Sequence, residues 1–284
     1  MRRSFLMAIL CLCFMLSHSV NAQEQKEKKS ASALSQLSID MQWFLSYLNG
    51  KDKGKKFNQF NLKRGYVNIK KKIDDRFSGR ITTDITTDKE GDGEGDVEMR
   101  LKYLYLKYSL PSGLLFYKPF FEFGLVHRPW LDFEQHINDY RVQGTMFLER
   151  NNVINSGDFG VVFLSYLGGE MDKEYQANVS KSYAGKYGSF ALGIFNGGGY
   201  HALEKNENKV VEGRLSVRPF PQMLPGLQIT YHGAIGKGNT IQAPDWNYSS
   251  AYLSFESRHL ILTTELYSGT GNYKGSSIRD IRST

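Results

Sequence analysis

The chain has 284 residues, a net charge of +7 and negative mean hydropathy, a length that suits one large domain. Its two cysteines, Cys11 and Cys13, lie within the first 22 residues, so a chain beginning near Gln23 has no disulfide, thiol catalyst or cysteine-held zinc. No later run reaches the roughly 20 apolar residues that a membrane-crossing helix needs.

Residues 1–22 read as a secretory leader. Arg2 and Arg3 precede an apolar run from Phe5 to Leu16, and Val20-Asn21-Ala22 offers a small-residue exit. Export follows, and removing the two leader arginines leaves a charge of +5. A basic excess fits anionic lipid or anionic solutes, and export argues against nucleic acid. Residues 23–38 are polar and read as a flexible periplasmic lead-in.

From Ile39 the pattern changes to short alternating strands, which suits a β-barrel with aromatic girdles; 17 Tyr, 18 Phe and 28 Gly agree with it. A soluble β-sandwich shares the patterning. Trp43, Leu45 and Tyr47 share one face of the first strand, with Gln42 and Ser46 opposite. The second, about Phe57 to Ile73, sets Arg64, Tyr66, Asn68 and Lys70 against Gly65, Val67 and Ile69. The third, Gly79 to Thr87, sets Arg80, Thr82, Asp84 and Thr86 against Ile81, Thr83, Ile85 and Thr87. The acidic connector Asp88 to Asp96 lacks calcium-loop spacing and reads as a solvated loop. The fourth strand, Val97 to Leu110, places Arg100 and Lys102 opposite Leu101, Tyr103 and Tyr105.

The fifth strand carries Phe121, Phe123 and Leu125 on one face and runs into a long loop, His127 to Asn152, bearing Arg128, Trp130, Arg141 and Arg150. Loops beyond about 12 to 15 residues tend to be functional or disordered, and its aromatics argue against disorder. Gly157 to Leu167 is the sixth strand. Antiparallel parity makes Gly168 to Lys186 a periplasmic connection, with room for a short helix. Tyr187 to Asn196 follows as strand seven. Val210 to Phe220 then sets Glu212, Arg214, Ser216 and Arg218 against Val211, Gly213, Leu215 and Val217. Gly226 to Gly233, Tyr248 to Ser257 and His259 to Ser268 bring the count to about eleven, with a weak twelfth allowed in Ser276 to Thr284. Closed barrels have even strand numbers, so residues 39–284 read as a transmembrane antiparallel β-barrel lacking its C-terminal part.

No catalytic, cofactor or metal motif stands out. The five later histidines, His127, His136, His201, His232 and His259, show no ligand spacing, and Gly197-Gly198-Gly199 lacks the strand-then-helix setting of a phosphate loop. A barrel hydrolase would need His127, His201 or His259 beside a serine. The polar strand faces carry Arg64, Arg80, Arg100, Lys102, Arg214 and Arg218, which face the lumen if the other faces meet lipid. Arg128, Arg141 and Arg150 then become candidates for a pore constriction with an anion bias.

Several motifs in this order resemble the phosphate-selective porin O/P family, in particular its Bacteroidetes-type members. They are Phe60-Asn61-Leu62-Lys63-Arg64-Gly65-Tyr66, Phe77-Ser78-Gly79-Arg80, Phe121-Glu122-Phe123-Gly124-Leu125 with Arg128-Pro129-Trp130, and Glu149-Arg150-Asn151-Asn152. Phe195-Asn196-Gly197-Gly198-Gly199 and Gly213-Arg214-Leu215-Ser216-Val217-Arg218 complete the set. The resemblance implies a sixteen-stranded, usually trimeric outer-membrane porin in which the loop matching Arg128 to Asn152 folds inward and passes small anionic or hydrophilic solutes. The alternative from the residues alone is a non-conducting outer-membrane barrel that binds a ligand or partner through its extracellular loops.

Overall fold

A computed structural model describes residues 35–88, 93–276 and 281–282. The expected leader, residues 1–22, and most of the lead-in lie outside these described residues. Strands β1 (Leu37–Asp52), β2 (Lys55–Lys72), β3 (Phe77–Thr87), β4 (Val97–Ser109) and β5 (Phe116–His127) come first. After a long loop follow β6 (Gly157–Leu167), β7 (Gly188–Phe195), β8 (Val210–Val217), β9 (Leu227–Lys237), β10 (Asp245–Glu256) and β11 (Ile261–Thr270). A two-residue strand, β12 (Ile281–Arg282), pairs with Ser268 and Gly269. Every strand pairs antiparallel with its sequence neighbour, giving one meander in the order β1 to β12. The fold is therefore all-β. Among the described residues β1 has no partner on its outer edge, so the sheet is open.

The burial along β8 and β9 inverts that of a soluble sandwich. In β8, Glu212, Arg214 and Ser216 are buried while Val211, Leu215 and Val217 are exposed. Similarly, β9 buries Gln228, Thr230 and His232 and exposes Ile229, Tyr231 and Ile235. Water would penalise that arrangement at about 25 cal/mol per Å² of apolar surface left wet, whereas hydrocarbon would not. The alternation legible in the sequence is thus polar-in and apolar-out.

The long loop lies on the polar side. Pro129 opens helix α1 (Pro129–Ile137), where its fixed φ suits the first helical position and its missing N–H costs nothing. Trp130, Phe133, Glu134 and Ile137 recur at helical spacing and are all buried. A short helix, α2 (Phe147–Arg150), follows and contributes Leu148. These side chains form a core with Val210, Ala234, Trp246, Tyr248 and Tyr252 from the wall. The same loop reaches the other edge, where Arg141 meets Gln42 of β1 and Arg64 of β2 donates to the Arg141 carbonyl at 2.5 Å. At the far side Phe147 packs on Tyr267 of β11. One loop touching β1 and β11 means that the sheet curls around it.

The fourth strand corrects the expected parity. Thr82 pairs with Tyr103 and Thr83 with Leu101, leaving Lys102 as the extra residue of a bulge. A bulge re-aims side chains. Lys102 and Tyr103 are both buried on the inner side, while Leu101 and Leu104 are exposed outside. Tyr103 and Tyr105 therefore do not share the outer face with Leu101. A second bulge, at Lys118-Pro119 in β5, accommodates a proline that cannot donate to the ladder.

Candidate functional site: a cation-lined cleft beside the inserted loop

The inserted loop is anchored by a buried charge network. Arg128 donates from Nε to Glu212 Oε2 at 2.6 Å and lies 3.4 Å from Asp158 through Nη1. Glu212 Oε1 accepts from the Trp130 backbone N–H at 2.9 Å, and Asp158 accepts from Gly197 N–H at 2.8 Å. Trp130 stacks flat on His232 at 3.7 Å, and His232 faces Glu265 at 3.1 Å. Beneath α1, Arg214 donates to the Pro129 carbonyl and to Ser189 and Ser216. Arg218 donates to the Gly185 carbonyl and Tyr175 hydroxyl.

On the loop's opposite side a polar cleft of about 200 Å³ separates it from β1–β4. Lys70, Arg80, Lys102 and Arg141 line it, with Asp40 and Asp132 as counter-charges and Tyr66, Asn68 and His136 between them. Lys102 dominates the chemistry. Its ammonium donates to the Tyr66 hydroxyl at 3.1 Å and lies 4.6, 5.7 and 5.8 Å from the ring centres of Tyr66, Tyr103 and Tyr200. Among the described residues no carboxylate lies within 4.0 Å of it. Glu149 lines the small space beside it without touching it, so this buried ammonium still favours the approach of an anion. Arg64 extends the positive wall, donating to the Arg141 and Gly144 carbonyls.

His201, in the connection above this cleft, registers the field. Burial first, then Arg100, push its imidazole down to about 4, with Asp84 opposing and Lys102 reinforcing. Asp132 responds in the other direction. Burial pushes its carboxyl up, but His127, His136, the Tyr183 hydroxyl and Arg80 outweigh burial and hold it well below the usual carboxylate range.

The sequence-derived candidates separate into groups. Arg64, Arg80 and Lys102 lie at the cleft or beside it, whereas Arg214 and Arg218 are 1% exposed beneath the loop. Arg100 pairs with Asp84 and Glu98 near the mouth. The three expected constriction arginines do not converge. Arg141 lines the cleft. Arg128 is 1% exposed and ion-paired within the wall, so its charge is neutralised at the anchor and not presented to a passing solute. Arg150 is exposed at the end of α2, packed beside Gly144.

His127 faces Glu122 through Nδ1 at 3.2 Å and Arg80 through Nε2 at 3.0 Å. His201 packs against Tyr200 with the rings tilted at 46°. Among the described residues no serine hydroxyl bonds to the rings of His127, His201 or His259, and no group of three or more His, Cys, Asp or Glu is placed to hold a metal. Sequence reasoning missed Asp132, Tyr183 and Tyr200 as cleft-shaping residues. The helical spacing of Trp130, Phe133 and Ile137 after Pro129 was the signal for Asp132, while nothing local marked Tyr183 or Tyr200.

No family model matches the chain, and no curated protein does. Among solved structures, it is similar to OmpT, an outer membrane protein of Vibrio cholerae in its trimer form. Identity is 10%, over 87% of this chain and 95% of that one, with a TM-score of 0.23. At that score the likeness carries no argument about this chain.

Proposed function

We propose that this chain is the wall and constriction of an outer-membrane porin that lets small hydrophilic solutes diffuse, with a preference for anions. The observation that carries the reading is the pairing of an apolar exposed face with a polar interior into which a folded loop inserts. That combination suits a bilayer outside and water inside, since lipid tolerates only structures whose backbone groups are paired internally. The cleft beside the loop supplies the path, and Lys70, Arg80, Lys102 and Arg141 supply the field, focused by a low-dielectric wall. No enzymatic role is assigned. The order of motifs resembling the phosphate-selective porin O/P family agrees with this reading, and a trimeric assembly in the outer membrane is part of the proposal.

Purified full-length protein in planar bilayers tests it. Discrete conductance steps are expected, with a reversal potential in a KCl gradient of the sign for anion preference. Lys102→Met should lower the anion-to-cation permeability ratio by roughly three- to tenfold. Absence of steps overturns the pore; steps without anion preference, or an unaffected ratio in Lys102→Met, overturn the assigned selectivity.

A second reading, a non-conducting barrel that binds through its loops, draws on the ordered rim. Asn239 ties the Leu203 carbonyl and the Lys205 N–H together, and a pocket of about 630 Å³ lies against Tyr273, His201 and Lys274. Ligand binding without conductance would favour it.

A further inference from the structure

The connection between β6 and β7, residues 168–187, leaves the sheet at the rim opposite the inserted loop. A plain turn would stay at that rim. Instead the segment builds helix α3 (Lys173–Asn178), capped by the Asp172 carboxylate, which accepts from the Tyr175 N–H at 2.7 Å. Met171, Tyr175 and Ala184 form a small core of their own, and Arg218 binds the segment to β8's end through the Gly185 carbonyl and Tyr175 hydroxyl.

From that base Tyr183 points at the loop that enters from the other rim. Its φ is +51°, a backbone conformation that costs a bulky residue on the order of 1 kcal/mol and persists where surrounding contacts over-determine it. Those contacts are present. The ring is 7% exposed, meets Phe133 edge-on at 5.0 Å and His136 at 5.6 Å, and has the Arg214 guanidinium over it at 4.8 Å. The hydroxyl donates to Asp132 Oδ2. Asp132 Oδ1 is held by Gln135 Nε2 at 2.8 Å, with His127 Nε2 at 3.7 Å. Both oxygens of a carboxylate that lines the cleft are thereby turned toward protein donors. Burial, and then the Asp132 charge, push the Tyr183 hydroxyl well above its ordinary value, so it remains a donor at physiological pH.

We infer that Tyr183 is a positioning residue for charge selection: by holding Asp132 Oδ2 it limits how far that negative charge offsets Arg80, Lys102 and Arg141 in the path of an anionic solute. The assignment rests on the pore reading above. Two connections from opposite rims thus meet inside the sheet, and the shorter one sets the electrostatics of the longer. Tyr183→Phe removes one oxygen and preserves the ring packing. It leaves Asp132 ionised, with Oδ2 free to face the cleft.

The experiment is the KCl-gradient reversal potential of the full chain, Tyr183→Phe, Asp132→Asn and the double variant. Tyr183→Phe is expected to lower the anion-to-cation permeability ratio by roughly two- to fivefold, and Asp132→Asn to raise it by a similar factor. In the Asp132→Asn background, adding Tyr183→Phe should change nothing, because its target charge is gone. A conducting, anion-preferring parent in which Tyr183→Phe is silent overturns the assignment of Tyr183, as does an equal effect of Tyr183→Phe with and without Asp132. Asp132→Asn keeps the assignment open to refutation if Tyr183→Phe does not insert: an unshifted ratio there overturns it too. A parent without conductance overturns the pore reading itself, and the assignment with it.

Discussion

The residue with the most at stake in the wall is Arg128. It is buried between two carboxylates, and removing one partner of such a network strands the rest of the charge. Glu212→Ala is expected to lower stability by about 3 kcal/mol, at the lower end for a broken buried pair because Asp158 remains, read as a reduced denaturant midpoint in detergent. A midpoint unchanged from the parent would mean that the network adds nothing net. Arg128 also shows why charge counts mislead at this scale. Its position in an arginine-bearing loop was legible, but its partners come from β6 and β8, and no local pattern announces them. Tyr103 is a parallel case. Period-two counting puts it outside, and the single extra residue at Lys102 turns it inside.

At the scale of elements, the strands were legible because their period is local. Each boundary read from alternation falls within a few residues of the strand observed, and Gly157–Leu167 coincides with it. The inserted loop was legible by length and composition only. Its helix depends on Trp130, Phe133 and Ile137 finding the wall, and that packing is long-range. Helix α1 also carries a buried acid. Burial first, then Glu265 and Glu149, push the Glu134 carboxyl up to about 8 from the ordinary 4.5, with the Phe147 N–H and Arg150 opposing. One of its oxygens has no hydrogen-bond partner.

A docked loop therefore holds a proton that a released loop gives up. Docking is strongest below about pH 4.5 and weakens as pH rises to about 8, above which the loss is complete. Protease sensitivity of the loop should increase across that window in the parent, after correction for the protease's own pH profile. Glu134→Gln should flatten the increase, and an identical profile in the variant would remove Glu134 from the account.

For the whole molecule, the decisive property is which face meets which solvent. Leu215, exposed on the apolar face and paired with Tyr231 near the middle of β9, should tolerate charge poorly in a bilayer: Leu215→Arg is expected to cost about 2–4 kcal/mol in lipid-embedded protein. Gln42→Glu, on the concave side beside the Arg141 guanidinium, should change stability by less than about 1 kcal/mol. Equal effects of the two would remove the distinction between the faces. Among the described residues the sheet is open at β1, and an edge in hydrocarbon must find a partner strand, so insertion requires those backbone groups to be satisfied. The polar-in pattern could be read from sequence; the curl of the sheet around its own loop could not, because it depends on contacts between its two edges.

The most direct measurement uses single cysteines placed in a chain that begins near Gln23 and has none of its own. In liposomes, cysteines at Leu215, Ile229 and Leu253 should resist a membrane-impermeant thiol reagent, while those at Gln42 and His136 should react. Reactive outer positions with shielded cleft positions would contradict a wall that faces lipid outside and water within.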